Sequence, residues 1–214
     1  MIGIIDSKTA NIGSLVNIFK RLNIPARLVQ TPKELDGVKR ILLPGVGHFD
    51  TCARNLRNAG FVNALEDIVL HENGLPLLGI CVGAQLLTRG SEEGNEPGLG
   101  LIKATTHRFP LLNIDDYKIP HMGWNVAQPL RPHPLFDTDR DLMPRFYFVH
   151  SYYILCDQRE DAVATTKHGI EFDSVIGTRN IAGVQFHPEK SHRFGMSLLS
   201  AFAAWNPNIE TGSC

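Results

Sequence analysis

The stretch Leu75-Pro76-Leu77-Leu78-Gly79-Ile80-Cys81-Val82-Gly83-Ala84-Gln85-Leu86-Leu87 decides how this chain is read. Its first six residues form an apolar run of strand length, and residues 84–87 read as the first helical turn after it. Cys81 stands between two glycines at the junction, the arrangement of a nucleophile elbow with sulfur in place of oxygen. Glycine permits the sharp turn and leaves room for a substrate. At such a junction the thiol meets the unpaired N–H groups of a helix N-terminus, which favour the thiolate, the form that attacks carbonyl carbon. A buried structural cysteine beside a glycine-rich turn accounts for the same residues taken alone. The reading therefore turns on the rest of the chain.

Upstream, residues 2–6 read as a strand, and Ile12, Leu15, Val16, Phe19 and Leu22 recur at helical spacing before Asn23 and Pro25. Residues 26–29 form a second strand, Thr31 caps a short helix, and 40–43 form a third strand ending at Pro44-Gly45-Val46-Gly47. A helical stretch over 52–70, broken near Gly60, returns the chain to the strand that carries Cys81. This alternation predicts an α/β fold: a doubly wound, mostly parallel sheet with ligands at the carboxyl ends of its strands. Both glycine-rich turns fall at such ends. After a surface loop over 90–100, short strands at 102–109, 125–127, 146–149, 162–167 and 175–178 add antiparallel character to the C-terminal half. A final strand over 181–186 leads into His187-Pro188-Glu189, and a closing helix covers 194–204.

At 214 residues, 43% of them hydrophobic and 20% charged, the chain can bury a substantial core, and one domain over 1–214 is the simplest division. A formal net charge of -1 gives no global reason to expect nucleic acid or an anionic membrane as partner. The N-terminus has no basic leader and no apolar run approaches membrane-spanning length, so a cytoplasmic location is expected. Cys52, Cys81, Cys156 and Cys214 are scattered, without a Cys-x-x-Cys pair, and read as thiols. Zinc-type histidine spacing and a phosphate-binding loop are both lacking, so no metal and no cofactor is expected.

A cysteine nucleophile needs a base to take its proton and later protonate the leaving amine, and that base needs a third group to hold its tautomer. His187 and Glu189 fit these needs: in an extended segment residues two apart point to the same side, and Pro188 stiffens the backbone between them. Acyl transfer also places negative charge on the carbonyl oxygen, so N–H groups must face it. Val82, directly after the nucleophile, supplies one, and the Val46 to Gly47 turn supplies the other. Each motif has a plain alternative, a solvated strand end for His-x-Glu and an ordinary tight turn for 44–47.

Taken together and in order, Leu43-Pro44-Gly45-Val46-Gly47, the 79–87 elbow and Gly183-Val184-Gln185-Phe186-His187-Pro188-Glu189-Lys190-Ser191 resemble the class I, triad-type glutamine amidotransferases. The resemblance spans nearly the whole chain. Ile5-Asp6 with Ala10-Asn11-Ile12, then Pro120-His121-Met122-Gly123-Trp124-Asn125 and Tyr147-Phe148-Val149-His150-Ser151-Tyr152-Tyr153, resemble the branch of that family that serves histidine biosynthesis. The resemblance implies hydrolysis of L-glutamine to glutamate and ammonia at Cys81, His187 and Glu189. It implies that Gln85, with backbone near Gly47 and around His150, Ser151 and Tyr152, holds the glutamine. It implies a heterodimer in which ammonia passes to a synthase (cyclase) subunit of barrel type. Met122 and Trp124 become candidates for that contact, Lys190 resembles an interface lysine, and Asn11 resembles a hinge-side residue. His121 and His150 are expected to orient or pack. Val82 and Ala84 replace the leucine and methionine common at the elbow. Both changes are apolar and should spare the chemistry, but the smaller Ala84 is expected to loosen the glutamine pocket.

Three other readings remain open at this level: an ammonia donor serving another synthase such as a nucleotide-sugar amidating enzyme, a Cys-His-Glu hydrolase outside the family, and a regulatory subunit without catalysis. Gln85 and the 120–125 segment are not expected of the second, and an intact triad speaks against the third.

Overall fold

The computed structural model describes residues 1–6, 8, 12–113, 117–136 and 143–207. Its N-terminal part alternates strand and helix: β1 (Ile2–Ile5), α1 (Ile12–Arg21), β2 (Ala26–Val29), β3 (Arg40–Gly45), α2 (Phe49–Asn58), α3 (Phe61–Val69), β4 (Leu77–Cys81) and α4 (Val82–Leu86). Strands then dominate: β5 (Ala104–Arg108), β6 (His121–Val126), β7 (Gln128–Pro129), β8 (Arg145–His150), β9 (Tyr152–Cys156), β10 (Ala162–His168), β11 (Ile170–Thr178) and β12 (Ile181–Val184), before α5 (His192–Ala204).

Eight strands form the central sheet in the order β2-β1-β3-β4-β12-β11-β10-β7. The first five run parallel and the last three antiparallel to their neighbours, so the sheet is mostly parallel with an antiparallel extension, as expected. Two ribbons stand apart from it, β5 with β9 and β6 with β8. Every residue of β1, β4 and β12 is buried. This is why those strands read as continuous apolar runs rather than alternating ones.

The helical stretch expected over 52–70 is two helices, starting at Phe49 and divided at Gly60, which adopts φ 78 as the cap of α3. Thr31 precedes a single 3₁₀ turn, Pro32–Leu35. The strand expected at 125–127 begins at His121, and the one expected at 175–178 begins at Ile170. In both cases polar residues hid the strand. Asp173 and Ser174 are buried in β11 because Asp173 accepts the Cys156 N–H at 2.8 Å and Ser174 donates to the Ala164 carbonyl at 3.3 Å. Strand β9 lay unrecognised behind β8, with only Ser151 dividing them.

Candidate active site

Strand register builds the site. Gly45 at the end of β3 pairs with Cys81 at the end of β4, and Val184 at the end of β12 pairs with Ile80. The turn after β3, Cys81 at the end of β4 and His187 after β12 therefore emerge side by side at the carboxyl edge. Cys81 sits at φ 55 and ψ -114, a conformation a non-glycine residue holds only when its surroundings force it, at a cost on the order of 1–3 kcal/mol. The surroundings are tight: a Cβ on Gly83 would lie 1.8 Å from the Leu43 carbonyl oxygen, so only glycine lets the elbow seat against β3. Gly47 bends the neighbouring turn through φ +94, with open space where a side chain would stand.

His187 is buried, and its Nδ1 meets Glu189 Oε1 at 2.7 Å. Glu189 does not reach it along an extended segment as the sequence suggested. Pro188–Lys190 is a 3₁₀ turn, which curls the carboxylate back onto the ring. The turn is clamped by Ser191, whose hydroxyl donates to the His187 carbonyl at 2.6 Å and accepts the Tyr147 N–H at 3.0 Å. The His187 N–H in turn donates to the Tyr147 carbonyl at 2.9 Å. Burial disfavours a charged His187 ring, but its hydrogen bonds to Cys81 and Glu189 and its attraction to both outweigh that, raising its pKa from 6.5 to about 10. The ring thus readily keeps a proton taken from the thiol.

A cavity of about 320 Å³ opens over these groups, lined among others by Val46, Gly47, Cys81, Val82, Gln85, His150, Ser151, Tyr152, His187 and Glu189. All ten of those residues were singled out from the sequence. Lys190 lies at the same cavity, while Met122 and Trp124 lie outside it, exposed on β6 at 62% and 41%. Trp124 stacks on His192 at 5.5 Å. Asn11 lies outside the described residues. Ala84 does not line the cavity; a Cβ on Gly183 would lie 2.9 Å from its methyl, so its size bears on packing against β12 rather than on the pocket.

Glu93 and Gln185 carry no role in the sequence reading. Glu93 reaches the cavity from the loop after α4, held by accepting the Phe49 N–H at 2.8 Å, while Asp50 accepts the N–H groups of Asn95 and Glu96 from the same loop. The acidic Ser91-Glu92-Glu93-Gly94 step after the elbow was its only signal. Gln185, fully buried, accepts from Gln85 Nε2 at 3.1 Å and donates toward Cys81 Sγ at 3.9 Å.

His121 and His150 are held by a directional chain. The Tyr152 carbonyl can only accept, so His150 donates to it from Nδ1 at 2.7 Å and turns a bare Nε2 to His121 Nδ1 at 2.9 Å. His121 Nε2 then accepts from Asn125 at 3.1 Å. Burial drives both rings down to about 3, so they are neutral and hold positions rather than protons. Cys52 and Cys81 are buried thiols and Cys156 is a partly buried one, while Cys214 lies outside the described residues. Among the described residues, no helix is long and apolar enough to cross a membrane.

The family model for class-I glutamine amidotransferases matches residues 3–204. The chain is 44% identical to the imidazole glycerol phosphate synthase subunit HisH 2 of Methanococcus maripaludis, over 94% of this chain and 98% of the relative. It is 39% identical to the imidazole glycerol phosphate synthase subunit HisH of Leptospira borgpetersenii, over 95% and 100% respectively. The PurLQS structure from Thermotoga maritima shares the fold, with a TM-score of 0.68 at 14% identity over 95% of this chain and 97% of the matched one. The chain therefore belongs to the class-I glutamine amidotransferases and, within them, to the HisH subunits of imidazole glycerol phosphate synthase.

Proposed function

We propose that this chain, acting as a single domain, hydrolyses L-glutamine at Cys81, His187 and Glu189 and hands the ammonia to a barrel-type synthase subunit with which it forms a heterodimer. The observation that carries the reading is the cavity where the thiol, a base with a bound carboxylate, and two backbone turns converge.

His187 takes the Cys81 proton, and the sulfur attacks the carboxamide carbon of glutamine. The resulting oxyanion faces the Val82 N–H and the Val46–Gly47 turn, where one well-placed donor is commonly worth about 3 kcal/mol. Collapse breaks the C–N bond, and His187 gives its proton to the departing ammonia, leaving a glutamyl thioester. Water then attacks as His187 removes its proton. Collapse of the second intermediate frees glutamate and returns the proton to the Cys81 sulfur. Glu189 holds His187 through Nδ1 throughout, keeping the other ring nitrogen toward the sulfur. At the far end, the Glu93 carboxylate suits the substrate ammonium, while Gln85 and the backbone around 150–152 hold the remainder.

Free ammonia is largely protonated at neutral pH and so lost as a nucleophile, which makes a covered passage useful. The exposed face of the β6–β8 ribbon suits such a cover. Met122 pairs with Val149, which lines the cavity, and Trp124 pairs with Tyr147, over whose ring Lys190 Nζ lies at 5.8 Å. Met122, Trp124 and Lys190 then contact the synthase, with Asn11 on the hinge side. The synthase uses the ammonia to convert a phosphoribulosyl-formimino carboxamide ribonucleotide into imidazole glycerol phosphate and an aminoimidazole carboxamide ribonucleotide.

The test is glutamate release from L-glutamine by this chain alone, then with a histidine-pathway synthase subunit and its ribonucleotide. Slow basal release and strong stimulation are expected, because the glycine turn at Val46 and Gly47 does not fully place its oxyanion donors in the free chain. Slow hydrolysis without stimulation would point to another synthase, and no hydrolysis in either case to a regulatory role.

A further inference from the structure

The Tyr152 carbonyl orients a second set of side chains besides the histidines. Gln85 approaches it with Nε2 at 3.4 Å, so the nitrogen end of that amide must face it. The same nitrogen donates to Gln185 Oε1 at 3.1 Å, which turns the Gln185 NH₂ group toward Cys81 Sγ at 3.9 Å. Gln185 is 0% and Gln85 2% exposed, so neither amide can exchange these partners for bulk water. Reversing either would set like groups against each other in a buried site, where an unmade hydrogen bond costs most.

We infer that Gln185 is a positioning residue for the reaction, donating an N–H to the Cys81 sulfur while fixing which end of Gln85 faces the cavity. The inference rests on the reading of Cys81 as nucleophile. A buried donor at the sulfur favours its charged form, and it restricts the side chain to one direction of attack. Gln85 spends its N–H groups on Tyr152 and Gln185 and offers the cavity its oxygen. An acceptor there suits an N–H-bearing ligand such as glutamine and disfavours a carboxylate in the same place.

The experiment is the pH dependence of Cys81 alkylation by iodoacetamide in the full chain, followed by peptide mapping, for the wild type, Gln185→Met and Gln185→Glu. Thermal melting reports whether each variant is folded. The pH of half-maximal alkylation is expected to rise by about one unit in Gln185→Met, a roughly ten-fold loss of reactive sulfur at a fixed pH below the midpoint. The rise should be larger in Gln185→Glu, whose carboxylate accepts where the amide donated. Gln85→Leu, which frees Gln185 Oε1, should shift the profile the same way by less, and it serves if neither Gln185 variant folds. An unmoved profile in a folded variant overturns the role of Gln185, including one that melts earlier, since packing alone would not move the profile. A wild-type Cys81 that resists alkylation at every pH would instead overturn its reading as nucleophile.

Discussion

The parallel strands and the two ribbons solve the same problem with opposite materials. Strands β1, β4 and β12 are buried along their whole length, and the site lies only where β3, β4 and β12 end. The β6–β8 ribbon instead buries His121 and His150 beneath its exposed Met122 and Trp124, and needs a chain of hydrogen bonds to do so. The parallel half places Cys81 and His187 by backbone register, which protons cannot disturb. The ribbon places the cavity wall by side chains that remain in place only while neutral.

The largest expected effect falls on the parallel half. Cys81→Ala should abolish glutamate release while a synthase complex supplied with ammonium salt keeps its activity; loss of both would make Cys81 structural. Next comes Glu189, the carboxylate held against His187. Glu189→Gln should lower kcat by about 10⁴, the loss found when the carboxylate behind a triad histidine becomes an amide. It should also change stability in a pH-dependent way. Since the folded pKa of His187 is raised to about 10 from 6.5, its contribution is full below pH 6.5 and is lost as pH rises through 10. The gap in melting temperature between wild type and Glu189→Gln should therefore close at high pH, and a gap constant with pH would count against the pairing.

The ribbon should respond more mildly. Trp124→Ala should raise the synthase concentration needed for half-maximal stimulation by about ten-fold or more, as truncating an aromatic anchor does. An unchanged titration would remove Trp124 from the contact. The smallest effect is the acid response. For His121 and His150 the folded pKa is depressed from 6.5 to about 3, so their neutral burial supports folding fully above pH 6.5 and loses ground as pH falls toward 3. Hydrogen exchange should show β6 and β8 opening before β1, β3 and β4 at pH 5. His121→Phe should flatten that difference, and uniform opening would erase the contrast between the halves.

The sequence was most legible where structure is local. Gly79, Cys81 and Gly83 announce a turn, and four parallel strands announce themselves as apolar runs because both faces are covered. It was least legible where meaning depends on a distant partner. Asp173 looks wrong for a strand until Cys156 supplies its hydrogen bond, and Glu93 looks like loop solvation until Phe49 holds it. Gln185 sat inside a recognised motif without a role, because its partners Gln85 and Cys81 lie on another element. The turn at 188–190 was misread as extended because proline stiffens either shape, and the Ser191 clamp that selects one is visible only in three dimensions.

Strand β12 enters the middle of the sheet, between β4 and β11, although it is the last strand among the described residues. During synthesis from the amino end, β4 therefore waits with one edge unpaired until β12 emerges. Until then Cys81 has only the β3 side of its surroundings, and the segment carrying His187 is missing from the other. A chain that stops short of β12 therefore lacks the His187–Glu189 pair, and the cavity over Cys81 is completed only when the sheet closes.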